Sequence, residues 1–371
     1  MDFDFSDDQT QLRDAVRKWV ERGYGFERRR AIVQAGGFSR EAYAELAELG
    51  LCGLTVDADF GGLDMGPIEA MVVMEELGRG LVLEPLTQTL MASTVLGAYG
   101  LASLKASWLP RMASGEALVV LAQQERQMRF RLDVCQASAV RAGSGCSVSA
   151  TKHLVSAGDT ADAFLVPARL NDQIALFLVE RQAQGVSTRG YGTQDGARAA
   201  DLVLTNAPAQ LVTLDGLLAL EHAVDCGIAA LCAEAVGVMD KTMQATLEYL
   251  NTRKQFGVAI SSFQALRHRV ADMKMQLELA RSMSYYASLK LNAPAPERRR
   301  ALARAKYQMG QSMRFVGQQA VQLHGGIGVT DEYIVSHYFK RLTQMELTFG
   351  DSLHQLGEVS SRMQDSAGVF A

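Results

Sequence analysis

Apolar residues recur every three to four positions through the first 115 residues, the spacing of one face of an α-helix. Ser6 precedes Asp7, Asp8 and Gln9, and a hydroxyl followed by acids and an amide is typical of a helix start. Further helices are predicted from Ser39 to Leu49 and over 68–80, 85–100 and 101–114. Together they predict an N-terminal all-α domain over residues 1–115.

After Gly115 the pattern changes to short runs rich in β-branched residues, separated by Gly, Asp and Asn. No amphipathic segment of helical length lies between these runs, so an antiparallel sheet or small barrel is expected over residues 116–212, not a series of βαβ units. The predicted strands are 118–123, 133–140, 146–156, 163–169, 174–180 and 199–205.

From about Leu214 the helical spacing returns, and the predicted helices are long. One runs to Arg253, the second covers about 260–291, and the third runs from Pro296 to Gly325. Long helices with apolar faces pack as a bundle. Residues 213–371 are therefore predicted to form a C-terminal four-helix bundle, and the fold class is α+β in the order α, β, α.

Composition narrows the class of protein. The 371 residues are 48% hydrophobic and 21% charged with a formal charge of −4, which does not favour a nucleic-acid-binding surface. The five cysteines are scattered without a CxxC pair, and the histidines lack ligand spacing, so no disulfide framework or metal site is expected. A signal peptide and an uninterrupted apolar run of about eighteen residues are both missing from the pattern. We expect a cytoplasmic protein that is not inserted in a membrane.

Two short motifs carry groups that can hold a dinucleotide. Arg253-Lys-Gln-Phe-Gly257 offers a guanidinium group suited to a pyrophosphate. Gln322-Leu-His-Gly-Gly-Ile-Gly328 offers glycines whose backbone N–H groups can approach a ligand closely. Taken alone, the second motif could be only a helix end and turn.

These motifs, with others in the same order, resemble the acyl-CoA dehydrogenase family over essentially the whole chain. The matching strings are Asp59-Phe-Gly-Gly62, Glu75-Glu-Leu-Gly78, a sheet with Lys152 and Asp162, Tyr249 to Gly257, Phe263-Gln-Ala-Leu-Arg-His268 and Gln322 to Gly328. The sequence from Phe26-Glu-Arg-Arg-Arg30 through Ser336-His-Tyr-Phe-Lys-Arg341 most resembles the small subunit of pimeloyl-CoA dehydrogenase and related heteromeric enzymes.

The resemblance implies FAD between the sheet and the bundle, with two protomers sharing each cofactor. It places Arg253 and Gln255 at the pyrophosphate, Phe256 beside the cofactor, and Phe263 and Gln264 near the adenosine half. Further contacts are expected from Gln322, Gly325, Gly326, Ser352 and His354. On the sheet, Gln124 and Ser156 match positions over the flavin, although Gln124 replaces a hydroxyl residue and Leu154 replaces a tryptophan. Ordinary core packing is the alternative for Phe256 and Phe263, and plain strand residues are the alternative for Gln124 and Ser156.

The catalytic base is where the chain departs from the family. Most relatives carry Glu in a Tyr-Glu-Gly-Thr turn, and aligning Phe349 with the tyrosine puts Gly350 at that position and Asp351 one place on. Some relatives place the Glu on the first long C-terminal helix, where this chain has Gly227, with Glu221 and Asp225 nearby. The candidates are therefore Asp351, Glu221 or Asp225, or a base supplied by a partner subunit. Asp351 could instead cap the helix that begins at Ser352.

The implied activity is oxidation of an acyl-CoA to the 2,3-enoyl-CoA, with α-proton abstraction and β-hydride transfer to flavin N5, as in β-oxidation of fatty acids or steroid degradation. Electrons would leave through an electron-transfer flavoprotein, and the chain would form a homodimer, a homotetramer or a heterotetramer with a second subunit. The main alternative is an FAD-binding partner subunit without its own base. An acyl-CoA oxidase and a helical scaffold that has lost flavin are further alternatives.

Overall fold

The computed structural model describes residues 4–143 and 145–363. The helices within these ranges are α1 Asp7–Gly23, α2 Phe26–Gln34, α3 Arg40–Glu48, α4 Pro67–Arg79, α5 Leu86–Tyr99, α6 Ala102–Ala113, α7 Gly216–Thr252, α8 Gln264–Lys290, α9 Ala295–His324, α10 Ile334–Leu347 and α11 Ser352–Ser361. The strands are β1 Val119–Leu121, β2 Ser138–Ala142, β3 Gly145–Ser156, β4 Ala163–Leu170, β5 Gln173–Glu180, β6 Val186–Gly192, β7 Arg198–Thr213, β8 Lys254–Gln255 and β9 Val258–Ala259. The predicted order of helical, β and helical segments is confirmed.

The start of α1 follows the capping chemistry of its sequence. The Ser6 hydroxyl accepts a hydrogen bond from the Gln9 N–H at 3.2 Å, and the Gln9 side chain accepts one from the Ser6 N–H at 3.0 Å. These two bonds satisfy donors that the first turn of a helix otherwise leaves without partners. Val16 and Val20 on the predicted apolar face are buried.

The middle strands form one sheet that closes on itself. The hydrogen-bonded neighbours run β4, β2, β3, β7 and β5, and β5 pairs again with β4. Most of these pairs are antiparallel, but β4 pairs with both β1 and β2 in parallel. The barrel that the sequence predicted as one option is therefore present, with parallel pairs that the alternation of residues did not reveal.

Strand β6 was missing from the sequence prediction. It reads Val-Ser-Thr-Arg-Gly-Tyr-Gly, with two glycines and three polar residues, and lacks the apolar run used to identify strands. Among the described strands its one partner is β7, from Val186 with Leu204 to Gly192 with Arg198. A long partner strand therefore supplies the order that the local sequence does not.

The described residues group into two compact units that do not follow chain order. One unit combines the N-terminal helix with Pro67–Val82 and the chain from Ile228 onward. The other combines Arg30–Gly66 with Leu83–Gly227, and so contains the sheet. The three consecutive domains with boundaries near 115 and 212 stay a prediction about the chain as it is read in sequence.

In the first unit, α4 crosses α7 at two glycines. A methyl group on Gly78 would overlap the carbonyl oxygen of Glu234, and one on Gly237 would overlap that of Glu75. The two backbones can approach this closely because neither helix carries a side chain at the crossing. Ion pairs surround it, including Arg79 with Asp240 at 2.5 Å and Arg281 with Glu75 at 2.6 Å.

Helix α7 is long and apolar enough to satisfy the length and hydropathy criteria for a membrane span. However, 78% of its most apolar window is buried inside the protein, as expected for a core helix.

Candidate active site

The glycine motif is a tight turn at the end of α9. The helix ends at His324, Gly325 has a φ of 63°, and Gly325–Val329 form a short 3₁₀ turn. Gly325 and Gly326 are exposed, and a Cβ atom on either would meet no heavy atom within 4 Å. Gly328 differs, because a Cβ atom there would lie 2.9 Å from the Val321 carbonyl oxygen. The first two glycines therefore present open backbone, whereas the third is required by packing.

Stacked aromatic rings join this turn to the end of α7. The His324 ring stacks on Tyr249 at 4.5 Å between centroids and lies 5.2 Å from Tyr333. His324 is 3% exposed, its Nδ1 lies 2.8 Å from the Ala320 carbonyl oxygen, and burial lowers its pKa. This neutral, fixed ring places the Arg253 segment and the glycine turn at one end of the helical unit.

The Arg253 segment is an exposed hairpin. Strands β8 and β9 pair antiparallel, and Phe256 and Gly257 at its tip have φ values of 53° and 82°. The Arg253 side chain is exposed, and within residues 4–143 and 145–363 its guanidinium has no carboxylate partner. Gln255, Gln264 and Gln322 are exposed as well, and the Gln255 amide donates to the Lys254 carbonyl at 2.9 Å.

Core packing within the chain does not explain Phe256. Its side chain is 91% exposed and touches Phe263 edge-on at 6.1 Å between ring centroids, and Phe263 is 37% exposed. The alternative of ordinary core packing is therefore wrong for Phe256. The Phe256 ring is therefore open to solvent at the tip of the hairpin.

The expected base position lies in a turn between α10 and α11. Phe349 and Gly350 have φ values of 59° and 103°, both in the left-handed region. Asp351 is the N-cap of α11, and its carboxylate accepts a hydrogen bond from the His354 N–H at 2.8 Å. The Asp351 side chain therefore caps α11, which is the alternative role that the sequence suggested for it.

Ser352 points into the protein and not toward solvent. It is 4% exposed, and both its N–H and its hydroxyl donate to one Glu346 carboxylate oxygen, at 2.9 and 2.7 Å. Ser352 was predicted to contact the cofactor, and its hydroxyl proton is already used within the chain. His354 is half-buried one helical turn from the cap.

The other base candidates lie near the start of α7, in the unit that contains the sheet. Asp225 is 1% exposed, and Glu221 is half-buried. Beside them, His222 packs edge-on against Tyr99 at 5.9 Å, and Cys226 lies 3.6 Å from the Thr94 hydroxyl. Burial raises the pKa of Cys226 to about 11, so its thiol stays neutral.

Gln124 is held within its own loop. Its side-chain amide donates to the Arg129 carbonyl at 2.7 Å, and its backbone carbonyl accepts from the His153 N–H at 2.8 Å. A cofactor contact by the Gln124 amide would therefore share or replace the bond to Arg129. Leu154, at the position of the family tryptophan, has a φ of 52° and is 60% exposed, and Ser156 is half-buried.

A buried ion pair next to Gln124 was missed from the sequence. The Lys152 ammonium group donates to Glu125 at 2.6 Å and to the Pro167 carbonyl at 2.9 Å, and Lys152 is 0% exposed. Burial alone would raise the pKa of Glu125, but Lys152 and the N–H groups of Gln136 and Ala137 outweigh it and hold that pKa below its usual range. The signal in the sequence was a lysine, Lys152, within a strand whose pattern predicts burial.

No cluster of three or more metal-ligating side chains occurs in the described ranges. The first unit instead offers exposed donors at its helix ends, namely the Arg253 guanidinium and the backbone N–H groups of Gly325 and Gly326. The second unit carries the polar side chains of Gln124 and Ser156 on its sheet. Exposed guanidinium, amide and backbone N–H groups suit an anionic, many-atom ligand such as a dinucleotide.

Comparison with known proteins agrees with this arrangement. Residues 6–116 match the family model for the acyl-CoA dehydrogenase N-terminal domain, and residues 215–364 match that for the acyl-CoA dehydrogenase C-terminal domain. Acyl-CoA dehydrogenase FadE27 of Mycobacterium tuberculosis (strain ATCC 25618 / H37Rv) is 26% identical over 340 residues, covering 89% of each chain. The narrower similarity to a pimeloyl-CoA dehydrogenase small subunit stays a prediction.

Solved structures share the whole fold. One, described as a variant of the steroid ACAD Tcur3481-Tcur3483, is 28% identical with a TM-score of 0.91 and covers 98% of this chain and 99% of its own. A chain of the ChsE4-ChsE5 complex from Mycobacterium tuberculosis is 25% identical with a TM-score of 0.88, and the match covers 99% of this chain and 100% of that one. The chain therefore belongs to the acyl-CoA dehydrogenase family of oxidoreductases, which implies a flavin cofactor.

Proposed function

We propose that the chain is an FAD-dependent acyl-CoA dehydrogenase, which converts an acyl-CoA to its 2,3-enoyl-CoA. The observation that supports this most directly is the joint placement of Arg253 and the Gly325–Gly326 turn through the stacked rings of Tyr249 and His324. Both motifs are free of competing ion pairs and open to a ligand, within the part of the chain that is described.

The donor set fits FAD. Arg253 would pair with the pyrophosphate, the N–H groups of Gly325 and Gly326 would approach it without a Cβ in the way, and Gln255, Gln264 and Gln322 would hydrogen-bond along the nucleotide. A bound FAD would supply the acceptor for the hydride from Cβ of the acyl group. The chain's own residues bind and orient, and electrons leave through an electron-transfer flavoprotein.

Exposed apolar side chains support a site completed by a second protomer. Phe256, Val329 and Leu353 are 91%, 66% and 77% exposed, all in or next to the segments assigned to the cofactor. Large apolar groups left in water at a functional segment favour burial against a partner. We therefore propose a dimer or larger assembly in which one protomer's Arg253 segment closes the other's site.

A second candidate function is favoured by the base position. Gly350 has no side chain, and the Asp351 carboxylate already caps α11. Two of the similar structures are named as pairs of chains, Tcur3481 with Tcur3483 and ChsE4 with ChsE5. The alternative is therefore a subunit that binds FAD while the partner of a heteromeric enzyme supplies the carboxylate.

The experiment that separates these functions is an anaerobic titration of the purified flavoprotein with acyl-CoAs. The panel contains simple fatty, dicarboxylyl and steroid side-chain thioesters, because the sequence leaves the acyl group open and one similar structure is described as a steroid enzyme. Bleaching of the flavin by the chain alone supports an autonomous dehydrogenase and removes the partner-subunit alternative. Bound flavin that bleaches only with a second subunit supports that alternative.

Two controls complete the test. The Asp351→Asn variant bleaches as fast as the parent if Asp351 acts only as a cap, and far more slowly if it is the base. Readmitting air then distinguishes an oxidase, whose reduced flavin reacts directly with oxygen. A colourless protein that takes up no FAD would contradict both proposed functions.

A further inference from the structure

A buried lysine in the middle of α9 has no role in the function proposed above. Lys306 is 1% exposed, and its ammonium group donates to the carbonyl oxygens of Met345 at 3.1 Å, Glu346 at 2.9 Å and Gly350 at 3.2 Å. An ammonium group has three donors, so all of them are used. Within the described ranges it forms no ion pair, and backbone dipoles take the place of a carboxylate.

The three acceptors belong to a helix end and to the turn that follows it. Met345 and Glu346 lie in the last turn of α10, where carbonyl groups carry the negative end of the helix dipole. The Met345 carbonyl also accepts a hydrogen bond from the Thr348 N–H at 3.2 Å. Gly350 lies in the turn before α11, at the position where most relatives carry their base. One buried cation therefore ties the end of α10 to this turn.

The backbone of the turn needs such a tie. Phe349 has a φ of 59°, a conformation that is strained for a non-glycine residue and persists only when surrounding contacts hold it. The Gln355 side chain donates to the Phe349 carbonyl at 2.8 Å. On α9, Gly310 leaves room for Ser352, since a methyl group there would overlap the Ser352 hydroxyl.

We propose that Lys306 is a positioning residue that fixes the Thr348–Ser352 turn and, through it, the cap Asp351 and the following His354. The importance of Lys306 for the reaction rests on the proposed function, because only that function makes this turn part of the active site. The effect of Lys306 on the order of the turn is independent of the proposed function and can be measured without substrate.

The charge of Lys306 makes this tie sensitive to pH. Burial lowers the pKa of Lys306 to about 8, partly opposed by the carboxylates of Glu346 on α10 and Asp351 at the start of α11, and the Cys232 thiol on α7 also faces it. Burial raises the pKa of Cys232 to about 12, so that thiol stays neutral. Above pH 8 the neutral amine keeps two of its three donors and loses its attraction for the helix end.

The local and global effects of this titration have opposite signs, because an opened turn leaves Lys306 buried without its carbonyl acceptors and lowers its pKa further, whereas unfolding exposes it to water. In the unfolded chain a lysine keeps its proton up to its ordinary pKa of about 10.4. Between pH 8 and that value the unfolded state binds more protons, so the contribution of Lys306 to global stability rises with pH. Loosening of the turn over the same range is thus distinguishable from general unfolding.

Amide hydrogen exchange on the full-length protein tests the proposal. The amides to follow are those of Thr348, Ser352, His354 and Gln355, all of which donate within or next to the turn. After correction for intrinsic exchange rates, the parent should lose protection severalfold in this segment as pH passes through about 8. In Lys306→Met, the protection factors of these amides at neutral pH should fall about tenfold or more, as expected for the loss of hydrogen bonds from a charged group. Their pH dependence should show no inflection near pH 8.

Arg304→Met is the matched control, since Arg304 is an exposed cation on the same helix and should behave as the parent. Parent-like protection in Lys306→Met would overturn the proposal, as would a parent whose turn shows no inflection near pH 8. If Lys306→Met does not fold, the pH series on the parent decides. A failure of the chain to bind FAD would count against the proposed function and would leave these exchange results unchanged.

Discussion

Individual residues show how burial changes the role that a sequence suggests for them. Ser352 matched a cofactor position in the sequence, but its hydroxyl is bonded to Glu346 inside the protein. Lys306 carried no signal, because its partners are carbonyl groups about forty residues further along the chain that local patterns do not reveal. Arg253 and the glycines could be named as candidates from the sequence because their chemistry is local and their exposure needs no long-range partner.

The Glu125–Lys152 pair leads to a prediction about stability. Lys152→Met leaves the Glu125 carboxylate buried at 4% exposure without its cation, and should lower the free energy of unfolding by about 3–5 kcal/mol. Denaturant unfolding measures this. The control Arg131→Met breaks the exposed pair with Asp133 and should change stability little. Equal effects of the two substitutions would show that the buried pair has no special role.

The same pair predicts a response to acid. Since the pKa of Glu125 is lower in the folded protein than in the unfolded chain, its stabilising contribution is complete above its ordinary pKa and is lost as pH falls through the folded value. The double variant Glu125→Leu/Lys152→Met should therefore lose less stability than the parent as pH falls from about 5 to about 3. Parallel melting-temperature curves over that interval would argue against this contribution.

At the scale of secondary-structure elements, local chemistry predicted helices better than strands. The capping box at Ser6 and the apolar stripes located α1 and the long helices before the structure did. Strand β6 and the parallel pairs of β4 depend on partners distant in sequence, which no local period encodes. The close crossing of α4 and α7 could not be predicted either, because a glycine within a helix only lowers the predicted helix stability until the neighbouring helix is known.

That crossing can be tested with one methyl group. Gly237→Ala should destabilise the protein by several kcal/mol or prevent folding, because the added Cβ would overlap the Glu75 carbonyl and the helices must separate. Gly357→Ala in α11 is the control, since its Cβ would meet no heavy atom within 4 Å. It should stabilise by about 0.5–1 kcal/mol. Thermal unfolding compares the two, and a Gly237→Ala protein as stable as the parent would refute the close packing.

At the scale of the whole molecule, family membership and the α, β, α order follow from motifs spread along the chain, and both are established. The catalytic base was not predictable, because it depends on the surroundings of Asp351, Glu221 and Asp225 and on whether a partner subunit contributes. Phe256 and Leu353 are 91% and 77% exposed, so the described part of the chain covers little of either side chain.

Arg253 and the glycine turn are proposed to hold FAD, and the affinity of the assembled protein for FAD measures this role. Arg253→Gln should weaken FAD binding about 10- to 100-fold, as expected for loss of hydrogen bonds from a charged group to a pyrophosphate. The control Arg304→Gln, on an exposed arginine of α9, should match the parent. An Arg253→Gln protein that binds FAD within about twofold of the parent would contradict the claim.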